Sequence, residues 1–224
     1  MPPKKKADEG YAKEATTETK RIPDQELHFD LPEQETGGMS ILMIGSTRSG
    51  KTTILKHLVN KWFEKHIGVL MSPNIHAPVY EGFKMPESPE YLPAVINECY
   101  KINKETKNHY PFLIVLDDVV NKKFDKELLK LFTVHRNAGV SAIQCIQSPI
   151  LLNSAMRGNI NLVMLGYMNS DESVEKVVRM FCYASIEGHN IEAKIHTYKR
   201  LTADHHWLMI NNLTGETYRF KLRI

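Results

Sequence analysis

The chemistry of this chain is concentrated first in nine consecutive residues, Gly45-Ser46-Thr47-Arg48-Ser49-Gly50-Lys51-Thr52-Thr53. They satisfy G-x-x-x-x-G-K-[ST], the spacing of a phosphate-binding loop. Gly45 and Gly50 accept backbone angles that turn successive N–H groups inward, building an anion nest at the start of a helix. The Lys51 ammonium belongs over the β- and γ-phosphates of a nucleoside triphosphate, and the Thr52 hydroxyl on Mg²⁺. The expected ligands are therefore ATP and Mg²⁺.

A second group is Phe112-Leu113-Ile114-Val115-Leu116-Asp117-Asp118, an apolar run closing on two carboxylates. A buried strand would deliver Asp117 to the Mg²⁺ shell. Asp118, one water away from the γ-phosphate, would take the proton of the attacking water as general base. A third group, Arg136-Asn137-Ala138-Gly139-Val140, leads into another apolar run that closes on Gln147-Ser148-Pro149. A polar residue at the carboxyl end of a central strand faces the crevice where α/β sheets bind ligands, so Gln147 is placed to sense the γ-phosphate or orient water. The competing role for Gln147 is a loop cap. Arg136 and Arg157 are candidates for an arginine finger given to a neighbouring subunit's ATP, with a surface salt bridge as the alternative for each.

These residues need a sheet to bring them together. From Met39 onward, short apolar runs alternate with amphipathic stretches, the pattern of βαβ units and a mainly parallel sheet. Strands are expected at 40–44, 67–71, 112–116, 140–146 and 161–166, each apolar enough to be covered on both faces. Helices are expected over Lys51 to Lys65 and Ser170 to Phe181, and near 90–105, 124–136 and 149–157. The end of the chain reads as a β-hairpin, His206 to Ile210 and Tyr218 to Ile224 around a turn at Asn212 to Gly215. The fold class predicted is an α/β P-loop NTPase, a three-layer α/β/α sandwich with a C-terminal hairpin.

Composition narrows the partners. With 224 residues, 42% hydrophobic and 25% charged, the chain has room for one full-sized α/β domain. Residues 1–38 are rich in Lys, Glu, Thr, Pro and Gln without a sustained apolar period, and are expected to form a mostly disordered arm ahead of an ATPase domain at 39–224. No apolar run approaches the length of a membrane span, and the first residues lack a signal-peptide core, so a non-secreted protein is expected. Three widely spaced cysteines argue against disulfides or a metal knuckle, and the ten histidines show no metal-ligand spacing. The net charge of +3 permits contact with a phosphate backbone without demanding it.

Taken in order, Gly45 to Thr53, the strand ending Asp117-Asp118, Arg136 to Val140 leading to Gln147-Ser148-Pro149, and Arg157-Gly158-Asn159 form a set. The set resembles the FtsK/HerA superfamily of P-loop motor ATPases. Within it, the chain resembles the poxvirus-type DNA-packaging ATPases of large double-stranded DNA viruses and virophages. The Asp117-Asp118 strand then resembles a Walker B motif and the nine-residue loop a Walker A motif. The resemblance implies a homo-oligomeric ring that hydrolyses ATP to move duplex DNA into a preformed capsid. It further implies a capsid or packaging-vertex partner, and a place of work in the host-cell cytoplasm or viral factory or with the virion. It assigns the in-trans arginine to Arg136, and it makes Lys122 and Lys123, or the segment 74–90, candidates for gripping DNA phosphates, where a solvated loop fits either one equally. The superfamily often has Glu at the position of Asp118, which is shorter by one methylene. A small-molecule or nucleotide kinase, and a nucleotide-gated DNA- or capsid-binding scaffold without turnover, are the alternative functions. A GTPase is disfavoured, since Asn121-Lys122-Lys123-Phe124 lacks the Asp of a guanine-reading motif.

Overall fold

Ser40–Ile44 (β1) is buried at all five positions, which suits a strand with layers on both of its faces. In the computed structural model of the chain, which describes residues 22–25, 37–74, 76–80, 86–119, 125–149, 152 and 154–222, such strands form the centre. After β1 come α1 (Lys51–Trp62), β2 (Ile67–Met71), β3 (Pro86–Glu87), α2 (Leu92–Thr106) and β4 (Phe112–Asp117). They are followed by α3 (Asp125–Thr133), β5 (Val140–Ile146), α4 (Ser154–Arg157) and β6 (Leu162–Leu165). The chain closes with α5 (Asp171–Val177), α6 (Ile191–Leu201), β7 (Trp207–Asn211) and β8 (Glu216–Phe220). The strands make one sheet in the order β3-β2-β4-β5-β1-β6-β7-β8. Pairing is parallel from β3 to β6 and antiparallel from β6 through β8.

Strand alternation sends successive side chains to opposite cores. Ile41 and Met43 join Ile54, Leu55, Leu58, Val59 and Trp62 of α1 on one face. Leu42 and Ile44 join Leu92 and Ile96 of α2, Leu131 and Phe132 of α3, Val174 of α5 and Tyr198 of α6 on the other. The connection leaving β1 thus covers one face, and those leaving β3, β4 and β5 cover the opposite one. Outside the carboxyl ends of the strands, this divergence opens the crevice in which open α/β sheets bind ligands. The expected three-layer sandwich, parallel centre and terminal hairpin are all present.

Several elements differ from the sequence expectation. The helix expected over 124–136 is α-helical only to Thr133 and continues as a 3₁₀ turn, His135–Ala138. Of the helix expected near 149–157, α4 covers Ser154–Arg157. Helix α6 was not expected at all. Its apolar stripe of Ile191, Ile195, Tyr198 and Leu201, of which Tyr198 is fully buried and the others partly so, is interrupted by Glu192, Lys194, His196, Lys199 and Arg200, which dilute the periodic signal. The usable signal was Asn190, whose side chain accepts from the Ala193 N–H as N-cap. Four residues of the leader, 22–25, lie along β8. The Gln25 N–H donates to the Arg219 carbonyl and the Arg219 N–H to that of Pro23, and the Arg219 guanidinium forks onto the Asp24 carboxylate.

One buried amide ties the entry of β5 to α2. Asn103 is fully buried; its Nδ2 donates to the carbonyls of Tyr110 and Ala138, at 2.8 and 2.7 Å, and its Oδ1 accepts from the Tyr110 N–H. Asn103→Ala should leave the Ala138 carbonyl without this partner in the interior, and the partly buried Tyr110 carbonyl and amide with it, and destabilise the fold by about 2 kcal/mol. The check is a lower urea midpoint at unchanged slope; an unchanged midpoint would contradict the assignment.

Candidate active site

The turn after β1 is built for an anion before any ligand is considered. Gly50 takes φ +94°, where a Cβ would be strained, and serves as N-cap of α1. It brings no side chain to the first-turn N–H groups, and that turn holds no acidic residue. Helices α5 and α6 differ, being capped by Ser170 and Asn190 and carrying Asp or Glu in their first turns. The N-terminal end of α1 therefore keeps its backbone donors and dipole for an external negative group. Arg48, at φ 66°, is a left-handed non-glycine residue within the same loop.

Side chains close the loop onto the sheet. Lys51 is buried, and its Nζ donates to the carbonyls of Gly45 (2.6 Å) and Ser46 (3.0 Å). The Ser46 N–H donates to the Tyr167 carbonyl just past β6, and Ser46 Oγ accepts from the Asn169 N–H. Behind the loop stands Trp207, fully buried at the start of β7, whose Nε1–H donates to the Ser49 carbonyl at 3.2 Å. Its ring fills the space where a Cβ on Gly166 would lie at 2.6 Å. The sequence pattern places Trp207 only within the hairpin. Because β7 runs antiparallel to β6, its first residue arrives at the same edge as the loop, a pairing no local motif reveals.

The second and third groups meet the loop at this edge. Asp117 ends β4 and is 3% exposed; its Oδ2 accepts from the Tyr80 hydroxyl at 2.8 Å. Burial pushes the Asp117 carboxyl above its usual range and Asp118 adds to the rise, while the Tyr80 bond and Lys51 oppose it. Burial also pushes the Tyr80 phenol up, which keeps it a proton donor. Asp118 has φ 53°, so the chain turns sharply after Asp117 and sends the two carboxylates in different directions. Asp118 Oδ2 accepts from Gln147 Nε2 at 2.9 Å, and Gln147 Oε1 accepts from Thr47 Oγ1 at 3.2 Å. Gln147 thus bridges the phosphate-binding loop and the second carboxylate. A cleft of about 450 Å³ lies over Thr47 to Ile54, Asp118 and Gln147, and is walled by His205, Trp207 and Leu222.

Thr52 lines the cleft, whereas Asp117 is buried and is not among its lining residues; by chemistry a hydroxyl and a carboxylate are donors that Mg²⁺ takes when it shares its shell with a nucleotide and water. Among the described residues, no cluster of three or more His, Cys, Asp or Glu forms a separate metal site. Arg157 is not among the described residues that line the cleft. Arg136 lies in the 3₁₀ turn before β5 and Arg157 ends α4 before β6, and both strands run parallel to β1. The arginines therefore sit at the amino-terminal edge of the sheet, with the cleft at the carboxyl edge. At ~3.3 Å per residue, the seven residues of β5 separate those edges by about 20 Å. Lys122 and Lys123 lie outside the described residues, as does part of 74–90. No described helix is long and apolar enough to cross a membrane.

Comparison with known proteins follows the same lines. The genome packaging NTPase B204 of Sulfolobus turreted icosahedral virus 2, solved with AMPPCP, superposes with a TM-score of 0.63 at 12% identity, over 83% of this chain and 98% of that one. The pCW3 conjugation coupling protein TcpA, with ATPgS, gives a TM-score of 0.57 at 14% identity over 83% and 60% of the two chains. EssC of Geobacillus thermodenitrificans (ATPases 2 and 3) also gives 0.57, at 11% identity over 83% and 39%. At these identities the likeness is one of fold. No curated protein matches by sequence. The poxvirus A32 protein family matches residues 26–210, a span that takes in the loop, both carboxylates, Gln147 and Trp207. The packaging-ATPase resemblance carried by the motifs is met at the level of sequence family as well as fold: the chain belongs to the poxvirus A32 protein family.

Proposed function

We propose that this chain is the ATPase of a ring motor that drives double-stranded DNA into a preformed viral capsid. The observation that carries the reading is Gln147, bonded at once to the phosphate-binding loop through Thr47 and to Asp118. A bridge of that kind lets one side chain register the end of the triphosphate and the group that activates water. The structural relatives named as a viral genome packaging NTPase and as ATPases, together with the family match, support the same assignment.

In this mechanism the uncapped first turn of α1 and the loop amides bind the phosphates, and Lys51 neutralises the β- and γ-oxygens. Thr52 and Asp117 would hold Mg²⁺, which when bound screens the charge that builds on the leaving oxygen. Asp118, oriented by Gln147, accepts a proton from water as its oxygen bonds to the γ-phosphorus. The bond to the β–γ bridging oxygen breaks, giving ADP and phosphate. The charge arising in that step needs a further cation. Arg136 and Arg157 stand at the far edge of their own sheet, so they serve a neighbouring copy's cleft, which makes the ring a catalytic requirement. DNA would be held by phosphate contacts, making binding sequence-independent and salt-sensitive.

Asp118→Asn should retain ATP binding and lose hydrolysis by about 10²- to 10⁴-fold, the usual share of a general base. Steady-state phosphate release beside nucleotide titration checks this, and substantial turnover would remove Asp118 from that role. Arg136→Ala should be inactive alone and regain part of its activity when mixed with inactive Lys51→Ala subunits, since a mixed interface can join an intact cleft to an intact arginine. Absence of rescue at every mixing ratio would count against action between subunits.

A further inference from the structure

The first turn after β2 contains a tyrosine that the mechanism has not used. Ser72 follows β2 directly, and since Met71 pairs with Leu116, Ser72 stands beside Asp117 at the next step of the ladder. The chain then folds back through turns closed by Ala77 N–H to the Asn74 carbonyl and Tyr80 N–H to the Ala77 carbonyl. This return carries Tyr80, 9% exposed and packed into the core under α1, to Asp117.

The hydrogen bonds run one way. The Asn74 N–H donates to Ser72 Oγ (3.3 Å), Ser72 Oγ–H to the Tyr80 hydroxyl (3.0 Å), and Tyr80 O–H to Asp117 Oδ2 (2.8 Å). A hydroxyl has a single proton. Tyr80 gives its own to the carboxylate and must therefore accept from Ser72, which in turn must accept from the backbone. The polarity of the relay is fixed from the turn to the carboxylate. A terminal carboxylate torsion is otherwise broad, and here a buried phenol bonded to Oδ2 selects one setting.

We propose that Tyr80, backed by Ser72, is a positioning residue that presets the Asp117 carboxylate for metal. The proposal rests on Asp117 being the metal carboxylate of the reading above.

The test is a titration of the full chain with a fluorescent, non-hydrolysable ATP analogue in chelator and across a Mg²⁺ series, for the parent, Tyr80→Phe and Ser72→Ala. Tyr80→Phe should bind the analogue in chelator as the parent does and need about tenfold more Mg²⁺ for half of the metal-dependent tightening, the scale of losing a group that orients a metal ligand. Ser72→Ala should shift the Mg²⁺ requirement the same way by less. Loss of affinity in chelator by the same factor as in Mg²⁺ would mark a merely structural role and overturn the proposal, as would an unchanged Mg²⁺ requirement in a folded Tyr80→Phe. Should Tyr80→Phe fail to melt cooperatively, an unchanged requirement in Ser72→Ala overturns it. A parent that binds the analogue with no Mg²⁺ dependence would instead overturn the assignment of Asp117 to metal, and the proposal with it. A parent that does not bind the analogue would overturn the nucleotide reading.

Discussion

A carboxylate held almost out of water at the end of a central strand is the constraint on which this site depends. Burying Asp117 penalises its charge, and the carboxyl is accordingly pushed up. Such a group persists only if its surroundings return part of the lost hydration. Tyr80 supplies one hydrogen bond, Lys51 a nearby positive charge, and the cation of a bound nucleotide would supply the rest. The carboxylate is thus costly to hold charged by itself and would be less so beside a cation. The parallel sheet meets the same need mechanically. Five strands deliver Gly45, Ser72, Asp117, Gln147 and Gly166 to one edge, and the antiparallel hairpin returns Trp207 to brace the loop from behind.

Much of this was legible in the sequence because it is local. The spacing Gly45 to Thr53 encodes a turn, an anion nest and a helix start within nine residues, and each apolar run ending in a polar residue encodes a buried strand with a group at its tip. Gln147 could be nominated because its place at a strand end follows from the run before it. The parts that were missed are long-range. Trp207 meets Ser49 across 158 positions, and Tyr80 meets Asp117 across 37. Neither lies in a motif, and an aromatic residue in a strand or turn reads as core, which both also are. Helix α6 was hidden for a different reason, since charged residues with apolar stems break its stripe, and Lys194 is even buried, donating to the carbonyls of Tyr183 and Ile186.

The two arginines show how topology adds to motif. Sequence alone left each as a candidate finger or a surface salt bridge. Parallel pairing of β1 with β5 and β6 puts both before strands whose far ends form the cleft, on the opposite edge from the chain's own phosphate-binding loop. A residue so placed stands away from the chain's own phosphate-binding loop, and under the proposed ring reading the phosphate it serves belongs to a neighbouring copy.

The central claim, that ATP hydrolysis belongs to an assembled motor acting on duplex DNA, is tested most directly by steady-state phosphate release at increasing protein concentration. The comparison is between no nucleic acid, single-stranded DNA and linear duplex DNA, with Lys51→Ala as the blank. The account predicts a rate per subunit that rises steeply with protein concentration and is stimulated by the duplex above the other two conditions. A rate per subunit independent of concentration and indifferent to DNA, or phosphate passed to a small acceptor in place of water, would contradict it.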